Sequence, residues 1–334
     1  MDRLLITGGL GFIGSNFVQN RLKNYPDSNI VNLDSVSYGA NLQNHATAVD
    51  NPRYRFVKCD IRDAEKVMGL IAHADMIVNF AAETHVDRSI SNPLPFLESN
   101  VIGTHTLLEA ARKSKVKKFV QISTDEVYGS ASGGVSFDEA SVMNPSSPYA
   151  ASKASADLFV KAYHKTYGLP IVILRCTNNF GPHQSPEKFI PKVIICSLLG
   201  KQVPVYGDGS QVRDWVYVED FCNAINLAIE HGSSGTIYNV SAGNELPNLE
   251  VAKKILTLLG KRSDLIHFVE DRPGHDIGYS INSHEIREKL GWRPKRSFQT
   301  ALAQTVAWYE KNESWWRPLM NEKILSPTPW KENW

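Results

Sequence analysis

Thr124-Asp125-Glu126 closes a short apolar run, and Tyr149 and Lys153 follow within SPYAASKASADLF. A hydroxyl, two carboxyls, a phenol and an ammonium so grouped can hold an oxygen and move protons. Tyr149 and Lys153 stand four residues apart, so on a helix they share one face. An ammonium beside a phenol, with a positively charged acceptor ring nearby, favours the phenolate and lowers a pKa of about 10 in isolation. Tyr149 is therefore expected to act as a general base near neutral pH. Oxidation of a simple hydroxyl needs only that pair. The added carboxyls of Asp125 and Glu126 predict that oxidation is coupled to a second event at a neighbouring carbon, such as loss of water.

These groups need an electron acceptor, and the first fifteen residues supply a place for one. Thr7-Gly8-Gly9-Leu10-Gly11-Phe12-Ile13-Gly14 follows the apolar run Leu4 to Thr7 and leads into a helical pattern. Gly8, Gly11 and Gly14 allow a tight turn, close approach of backbone to a pyrophosphate, and close packing of helix on strand. Asp34 lies twenty residues beyond Gly14, where a carboxylate accepts hydrogen bonds from ribose hydroxyls and repels a 2′-phosphate; no Arg or Lys follows before Arg53. NAD is expected rather than NADP. Asp60 and Ile61, after the third apolar run, are candidates for the adenine edge.

The elements that must position these residues alternate. Leu4–Thr7, Ile30–Leu33, Tyr54–Val57, Met76–Phe80, Phe119–Ser123 and Ile171–Arg175 read as strands, and Gly14–Tyr25, Ala64–Ala72, Pro95–Ser114 and Pro148–Tyr167 as helices. The alternation predicts an α/β fold, a Rossmann-type doubly wound parallel sheet, with ligands at the carboxyl ends of its strands, where Gly8, Asp34, Ala81 and Thr124 fall. After about Asn178 the segments GPHQSPEK, PVYGDGSQ, SAGNELPN and RPGHD separate shorter elements. That composition predicts a smaller, loop-rich C-terminal substrate lobe. Residues 1–177 are read as the NAD-binding domain and 178–334 as mainly the substrate lobe, with some segments returning to the first. The tail from Trp308 carries Trp315, Trp316, Trp330 and Trp334, and either packs on the body or frays.

Composition narrows the function. With 36 Lys and Arg against 35 Asp and Glu in 334 residues, the formal charge is +1. No global field therefore points to nucleic acid or an acidic membrane, and phosphate recognition must be local. Arg213 and Arg272, in loops of the second lobe, are candidates for charge-assisted bonds to a pyrophosphate. Cys59, Cys176, Cys196 and Cys222 lie far apart with no CxxC pair, so neither a disulfide framework nor a metal site is expected. No leader and no run of about 18 apolar residues is evident, and a soluble, cytoplasmic protein is expected.

Together the glycine turn, the Tyr/Lys pair and Ser123-Thr124-Asp125-Glu126-Val127-Tyr128-Gly129 resemble the extended short-chain dehydrogenase/reductase superfamily, and within it the nucleoside-diphosphate-hexose 4,6-dehydratases. The stretches AAETHVDRSI, CTNNFGPHQSPEKFIP, PVYGDGSQVRDWVYVED and DRPGHD are similar to the same group. The resemblance implies a dTDP- or UDP-linked hexose as substrate. Tyr149 and Thr124 would serve the C4 hydroxyl, Glu126 would remove the C5 proton, and Asp125, protonated, would expel the C6 hydroxyl as water. It adds Phe12, Ile13, Ala82, Thr84 and Asn179 to the cofactor site. It places Asn178, Lys188, Asn248 and His275 on the nucleotide side, Pro204 and Tyr206 about the base, and His85 and Glu187 near the sugar. It also implies a homodimer pairing the helices near 95–114 and 148–167. Gly278, Asn282 and Ser185 depart from the group's pattern, which bears on the identity of nucleotide and hexose. A UDP-hexose or UDP-N-acetylhexosamine dehydratase or C5-epimerase, and a non-catalytic NAD-binding sensor, are the alternatives.

Overall fold

The computed structural model describes residues 2–131 and 135–334. Six strands, β1 (Asp2–Thr7), β2 (Ser28–Asp34), β3 (Tyr54–Lys58), β4 (Met76–Asn79), β5 (Lys118–Thr124) and β6 (Ile171–Cys176), follow the predicted order. Beyond them come β7 (Asn178–Phe180), β8 (Val203–Tyr206), β9 (Val212–Tyr217), β10 (Thr236–Val240), β11 (Glu245–Pro247) and β12 (Ile266–Val269). The main sheet has seven strands in the order β10-β6-β5-β4-β1-β2-β3, and every neighbouring pair is parallel. Chain order reverses between β1 and β4, the switch point at which such sheets open a crevice.

Helices α1 (Phe12–Asn24), α2 (Ala64–Ile71), α3 (Val86–Ser91), α4 (Leu94–Phe96), α5 (Thr104–Ser114) and α6 (Pro148–Tyr167) precede α7 (Phe189–Leu198), α8 (Val218–His231), α9 (Asn248–Leu258), α10 (His284–Leu290) and α11 (Phe298–Lys311). Alternation along β1 divides the core. Leu4 and Ile6 pack with Phe17 of α1 and Phe221 and Ile225 of α8. Leu5 faces Val67 of α2, Leu107 of α5 and Val160 of α6 on the opposite side. Such two-sided burial is what a parallel sheet needs, since helices must cover both faces. A third core lies in the second lobe, where Ile194, Ile255 and Leu302 of α7, α9 and α11 pack around Trp215 and Trp316. The Gly- and Pro-rich segments connect these helices. No helix among the described residues is long and apolar enough to cross a membrane.

One expected helix differs in winding. Between Pro95 and Ser114 the chain passes from α4 through a π-helical turn, Leu97–Gly103, into α5. Buried Asn100 occupies that turn: it accepts from Glu83 N at 2.9 Å and donates to the Glu83 carbonyl at 3.0 Å and to Ser152 Oγ at 2.8 Å. The wider turn thus ties the loop after β4 to α6, a local adjustment that hydrophobic periodicity does not report.

The segments carrying the two chemical motifs are joined by one buried network. Arg175 of β6 donates from Nε to Asp157 of α6 at 2.9 Å and from Nη1 to the Tyr128 hydroxyl at 2.8 Å. Tyr128, in the turn Asp125–Tyr128, donates in turn to Asn239 of β10 at 2.8 Å. The side chains of Arg175 and Asp157 are 1% and 0% exposed. Removing either partner therefore strands a charge in the core. Arg175→Met is expected to destabilise the fold by about 3–5 kcal/mol in urea denaturation, whereas Arg175→Met with Asp157→Leu should recover much of the loss. A loss under about 1 kcal/mol in the single variant would show that the pair is not a structural anchor.

Candidate active site

The carboxyl ends of the main-sheet strands meet in one cavity, and its wall gathers residues from both halves of the chain. It is lined by Gly8, Gly11, Phe12, Ile13, Gly14, Asp34, Asp60, Ile61, Ala81, Ala82, Thr84, Tyr149, Lys153 and Asn179, the whole set expected to hold a dinucleotide. Thr124, Asp125, Glu126, Asn178, Glu187 and Lys188 share the same wall. His85, Pro204, Tyr206, Arg213, Asn248, Arg272 and His275 stand outside that lining.

The glycine turn fits a pyrophosphate. Gly8 has a φ of +71°, and a Cβ there would lie 2.7 Å from Ala81 N; a Cβ on Gly14 would lie 2.3 Å from the Gly8 carbonyl oxygen. Gly11 begins α1 with no capping side chain and no acidic residue in the first turn, so the helix's N-terminal N–H groups and dipole are available to an anion. Asp34 accepts from Leu10 N at 3.0 Å and Val36 N at 2.8 Å, which fixes the carboxylate at the rim of the turn. Burial raises its pKa against those two bonds. Val36, which donates its N–H to Asp34, sits at a φ of +57°, a costly conformation for a β-branched residue. Asp60 is bound to Arg62 at 2.8 Å, and Arg62 reaches Glu98 at 2.5 Å. Arg62 is a cation of the cavity wall that the sequence reading missed; both of its partners are carboxylates, one of them from the distant π-helical turn.

Local signals explain the placement of the catalytic candidates. Ser147 caps α6 by accepting from Ala150 N at 3.1 Å, and Pro148 opens its first turn, so Tyr149 and Lys153 sit one turn apart at the helix start. Thr124 ends β5 and accepts from Glu126 N at 3.3 Å, while its hydroxyl donates to Asp125 Oδ1 at 3.1 Å. The resulting turn stacks Asp125 inward, with the residue only 2% exposed.

Electrostatics separate the two carboxyls. Burial first, and then the Glu126 charge, push the Asp125 carboxyl well above the ordinary carboxylate range. Burial also raises Glu126, but the guanidinium groups of Arg272 and Arg213 and the Lys188 ammonium work in the opposite direction. Asp125 is thus the group held neutral and Glu126 the one helped to ionise, the arrangement required when one carboxyl gives a proton and its neighbour takes one.

Tyr149 and Lys153 are both buried at the start of α6. Burial, followed by the Glu126 charge, pushes the Tyr149 phenol well above 10. Lys153 Nζ donates to the Ile122 carbonyl at 2.6 Å, and burial lowers its pKa. The physical reason is that Lys153 spends its hydrogen bond on strand β5 while the phenol lies among carboxylates. Burial thus works against the phenolate, and the positive acceptor ring expected beside Tyr149 works for it.

Beside the cavity, residues of both halves of the chain assemble a charged cluster. Arg272 donates to Asp87 Oδ1 at 2.9 Å, and the Tyr206 hydroxyl donates to Oδ2 at 2.9 Å. Against the cost of burial, Arg272 holds the Asp87 carboxyl down to about 2. Arg213 lies in strand β9 rather than in a loop; among the described residues it donates to the carbonyls of Val212 and Asp276, at 2.7 and 3.1 Å, and it packs over the Tyr279 ring. His275 bonds Asp271 at 2.5 Å. Glu187 accepts from Arg88 Nε at 3.2 Å, with His85 Nε2 at 3.8 Å, and Lys188 Nζ donates to the Thr84 carbonyl at 2.8 Å. Asp87, Arg88 and Tyr279 were not singled out from the sequence. Asp87 and Arg88 stand inside the stretch AAETHVDRSI, yet their partners lie 185 and 99 residues away.

Ser185 lines the cavity. Gly278 instead forms a bridge to Val212 and accepts from Ala131 N at 2.9 Å, and Asn282 accepts from His284 N at 2.8 Å ahead of α10. Of the three departures, only Ser185 touches the cavity directly.

Known proteins share this architecture along nearly the whole chain. Residues 5–305 match the family model described as GDP-mannose 4,6 dehydratase. A dTDP-glucose 4,6-dehydratase of Streptomyces niveus is 46% identical over 331 residues, 98% of each chain. The low-salt glycan biosynthesis protein Agl12 of Haloferax volcanii is 51% identical over 306 residues, 92% of this chain and 98% of its own. The crystal structure of DesIV, a dTDP-glucose 4,6-dehydratase from Streptomyces venezuelae with NAD and TYD bound, superposes with a TM-score of 0.93 at 48% identity, covering 95% of this chain and 100% of that one. The chain belongs to the nucleotide-sugar 4,6-dehydratase family of the extended short-chain dehydrogenase/reductases.

Proposed function

We propose that the protein is an NAD-dependent dTDP-glucose 4,6-dehydratase that forms dTDP-4-keto-6-deoxyglucose. The observation that carries this reading is that the adjacent carboxyls Asp125 and Glu126 share one cavity wall with Thr124, Tyr149, Lys153 and the glycine turn. The relatives described above support the substrate.

Gly8, Gly11, Gly14 and Asp34 would hold the dinucleotide, with Tyr149, Lys153 and Asn179 beside its nicotinamide. Bound NAD supplies the acceptor for hydrogen leaving C4 and its return at C6, and its positive ring provides the charge that the Tyr149 phenol lacks. Tyr149 receives the C4 hydroxyl proton while Thr124 holds the oxygen. The 4-ketone so formed acidifies C5. Glu126 takes the C5 proton, Asp125 gives its proton to the C6 hydroxyl, and the C6–O bond breaks to release water. Glu126 then returns its proton to C5. Arg213 and Arg272 serve the diphosphate: Arg213 has no carboxylate partner, and Arg272 Nε is buried without an acceptor among the described residues. Asn248 and Asn178, each with a buried carbonyl oxygen lacking a donor, are assigned to the nucleotide side, with Pro204, Tyr206 and His275 toward the base and His85, Glu187 and Lys188 toward the sugar and phosphates.

Incubation with dTDP-glucose should yield a product lighter by one water in mass spectrometry, with UDP-glucose and UDP-N-acetylglucosamine left largely unchanged. Asp125→Asn and Glu126→Gln should each lower water loss by a hundredfold or more, in the range of general acid–base catalysis at about 10²–10⁴, while slow C4 oxidation persists. Turnover of a UDP-sugar in preference would reassign the substrate, and unimpaired product formation in the variants would remove the carboxyls from the mechanism.

The rate of water loss should follow a bell against pH. Glu126 acts as its anion, so activity is present above its raised pKa and is lost as pH falls through it. Asp125 acts in its neutral form, so activity is lost as pH rises through its own raised pKa. A rate that stays level far into alkaline pH would count against Asp125 as the proton donor.

We also infer a homodimer. Leu94, Leu97 and Ile102 of the α4–π turn segment and Leu158 and Phe159 of α6 are exposed, from 41% to 58%, on the two helical segments expected to pair. A second copy would cover this apolar face. Light scattering should return twice the 37.3 kDa chain mass, and an active monomer at micromolar concentration would refute the pairing.

A further inference from the structure

The C-terminal tail packs against the charged cluster, with contacts at Lys192, Tyr206 and Arg88. Lys192, buried in α7, donates to the Ser326 carbonyl at 3.4 Å. Trp330, only 6% exposed, packs edge-on against Tyr206 with ring centroids 5.0 Å apart, and Tyr206 in turn bonds Asp87, the partner of Arg272. Trp334 lies over the Arg88 guanidinium at 3.7 Å, with Tyr38 of the cavity wall on the other side at 3.1 Å. The tail is itself held in shape, since Trp334 Nε1 donates to the Pro329 carbonyl at 2.8 Å and Lys331 pairs with Glu270 at 2.5 Å.

Arg272 and Arg88 are long side chains whose useful geometry depends on what restrains them. Arg272 is held by Asp87, and Asp87 by Arg272 together with the Tyr206 hydroxyl; without Trp330, the Tyr206 ring loses a packed face and that hydroxyl loses its fixed position. Arg88 is fixed between two aromatic faces and by Glu187, and Trp334 supplies one of the faces. Neither tryptophan lines the cavity itself, so each acts through the residue it packs on.

We propose that Trp330 and Trp334 are positioning residues for the nucleoside-diphosphate end of the substrate, holding Tyr206–Asp87–Arg272 and Arg88–Glu187 in place before the nucleotide arrives. The tail is then a structural part of the substrate site. This rests on the nucleotide-sugar reading of the cavity.

The test compares wild-type protein with Trp330→Ala, Trp330→Phe and Trp334→Ala by calorimetric titration with dTDP, steady-state kinetics with dTDP-glucose, and thermal unfolding. Trp330→Ala should raise both the dTDP Kd and the KM about tenfold, equivalent to about 1.4 kcal/mol, with kcat within about twofold. Trp330→Phe, which keeps an aromatic edge, should restore most of that loss. Trp334→Ala should raise KM by about threefold or more. Unchanged Kd and KM in both alanine variants, or a fall in kcat with KM unchanged, would overturn the proposal. Should wild-type protein bind dTDP yet leave dTDP-glucose intact, the reaction assigned above fails, while the Kd comparison still decides the role of the tail.

Discussion

The buried Arg175 guanidinium is the constraint on which the rest of the site depends. It joins β6 to α6 through Asp157 and to the Thr-Asp-Glu turn through Tyr128, which continues the network to Asn239 of β10. Tyr149 and Lys153 ride on α6, and Asp125 and Glu126 on the turn, so this cation ties the two segments together, alongside the Lys153 bond to the Ile122 carbonyl of β5. A charge wholly inside the core is costly and must be paired and hydrogen-bonded. That requirement makes the geometry unforgiving: either element could shift only by breaking a bond that nothing else in the core would replace.

Around that anchor, burial does different things to neighbouring groups. Asp125 faces inward and is raised by desolvation and by Glu126, whereas Glu126 looks toward Arg213, Arg272 and Lys188, whose positive charge partly offsets its own burial. The asymmetry comes from the second lobe, because all three cations lie beyond residue 178 of the chain. The second lobe therefore also tunes the charge state of these carboxyls. A diphosphate seated against those cations would weaken their hold on Glu126 and raise its basicity when substrate is present.

The same reasoning gives Tyr149 a dependence that the Tyr/Lys spacing does not contain. Its phenol is raised by burial and by carboxylates, and Lys153 is committed to the Ile122 carbonyl. A positively charged ring in the cavity is then what makes the phenol a useful base, which ties readiness for oxidation to the presence of the oxidant.

Much of this was legible in the chain. The glycine spacing, Asp34 and the alternating apolar runs determined a dinucleotide turn on a parallel sheet, because turn sterics and side-chain periodicity are local properties. Ser147-Pro148 and Thr124 likewise fixed where α6 begins and where β5 ends. What only tertiary structure decided were the relations between distant segments: Arg175 with Asp157 and Tyr128, Arg272 with Asp87, Arg62 with Glu98, and the Trp-rich tail with Tyr206 and Arg88. The π-helical turn at Asn100 belongs with these, since its winding follows the bonds to Glu83 and Ser152 rather than its own composition. Spacing along a chain sets which residues can share a face, but a charge finds its partner, and a carboxyl its pKa, only when folding has removed the water between them.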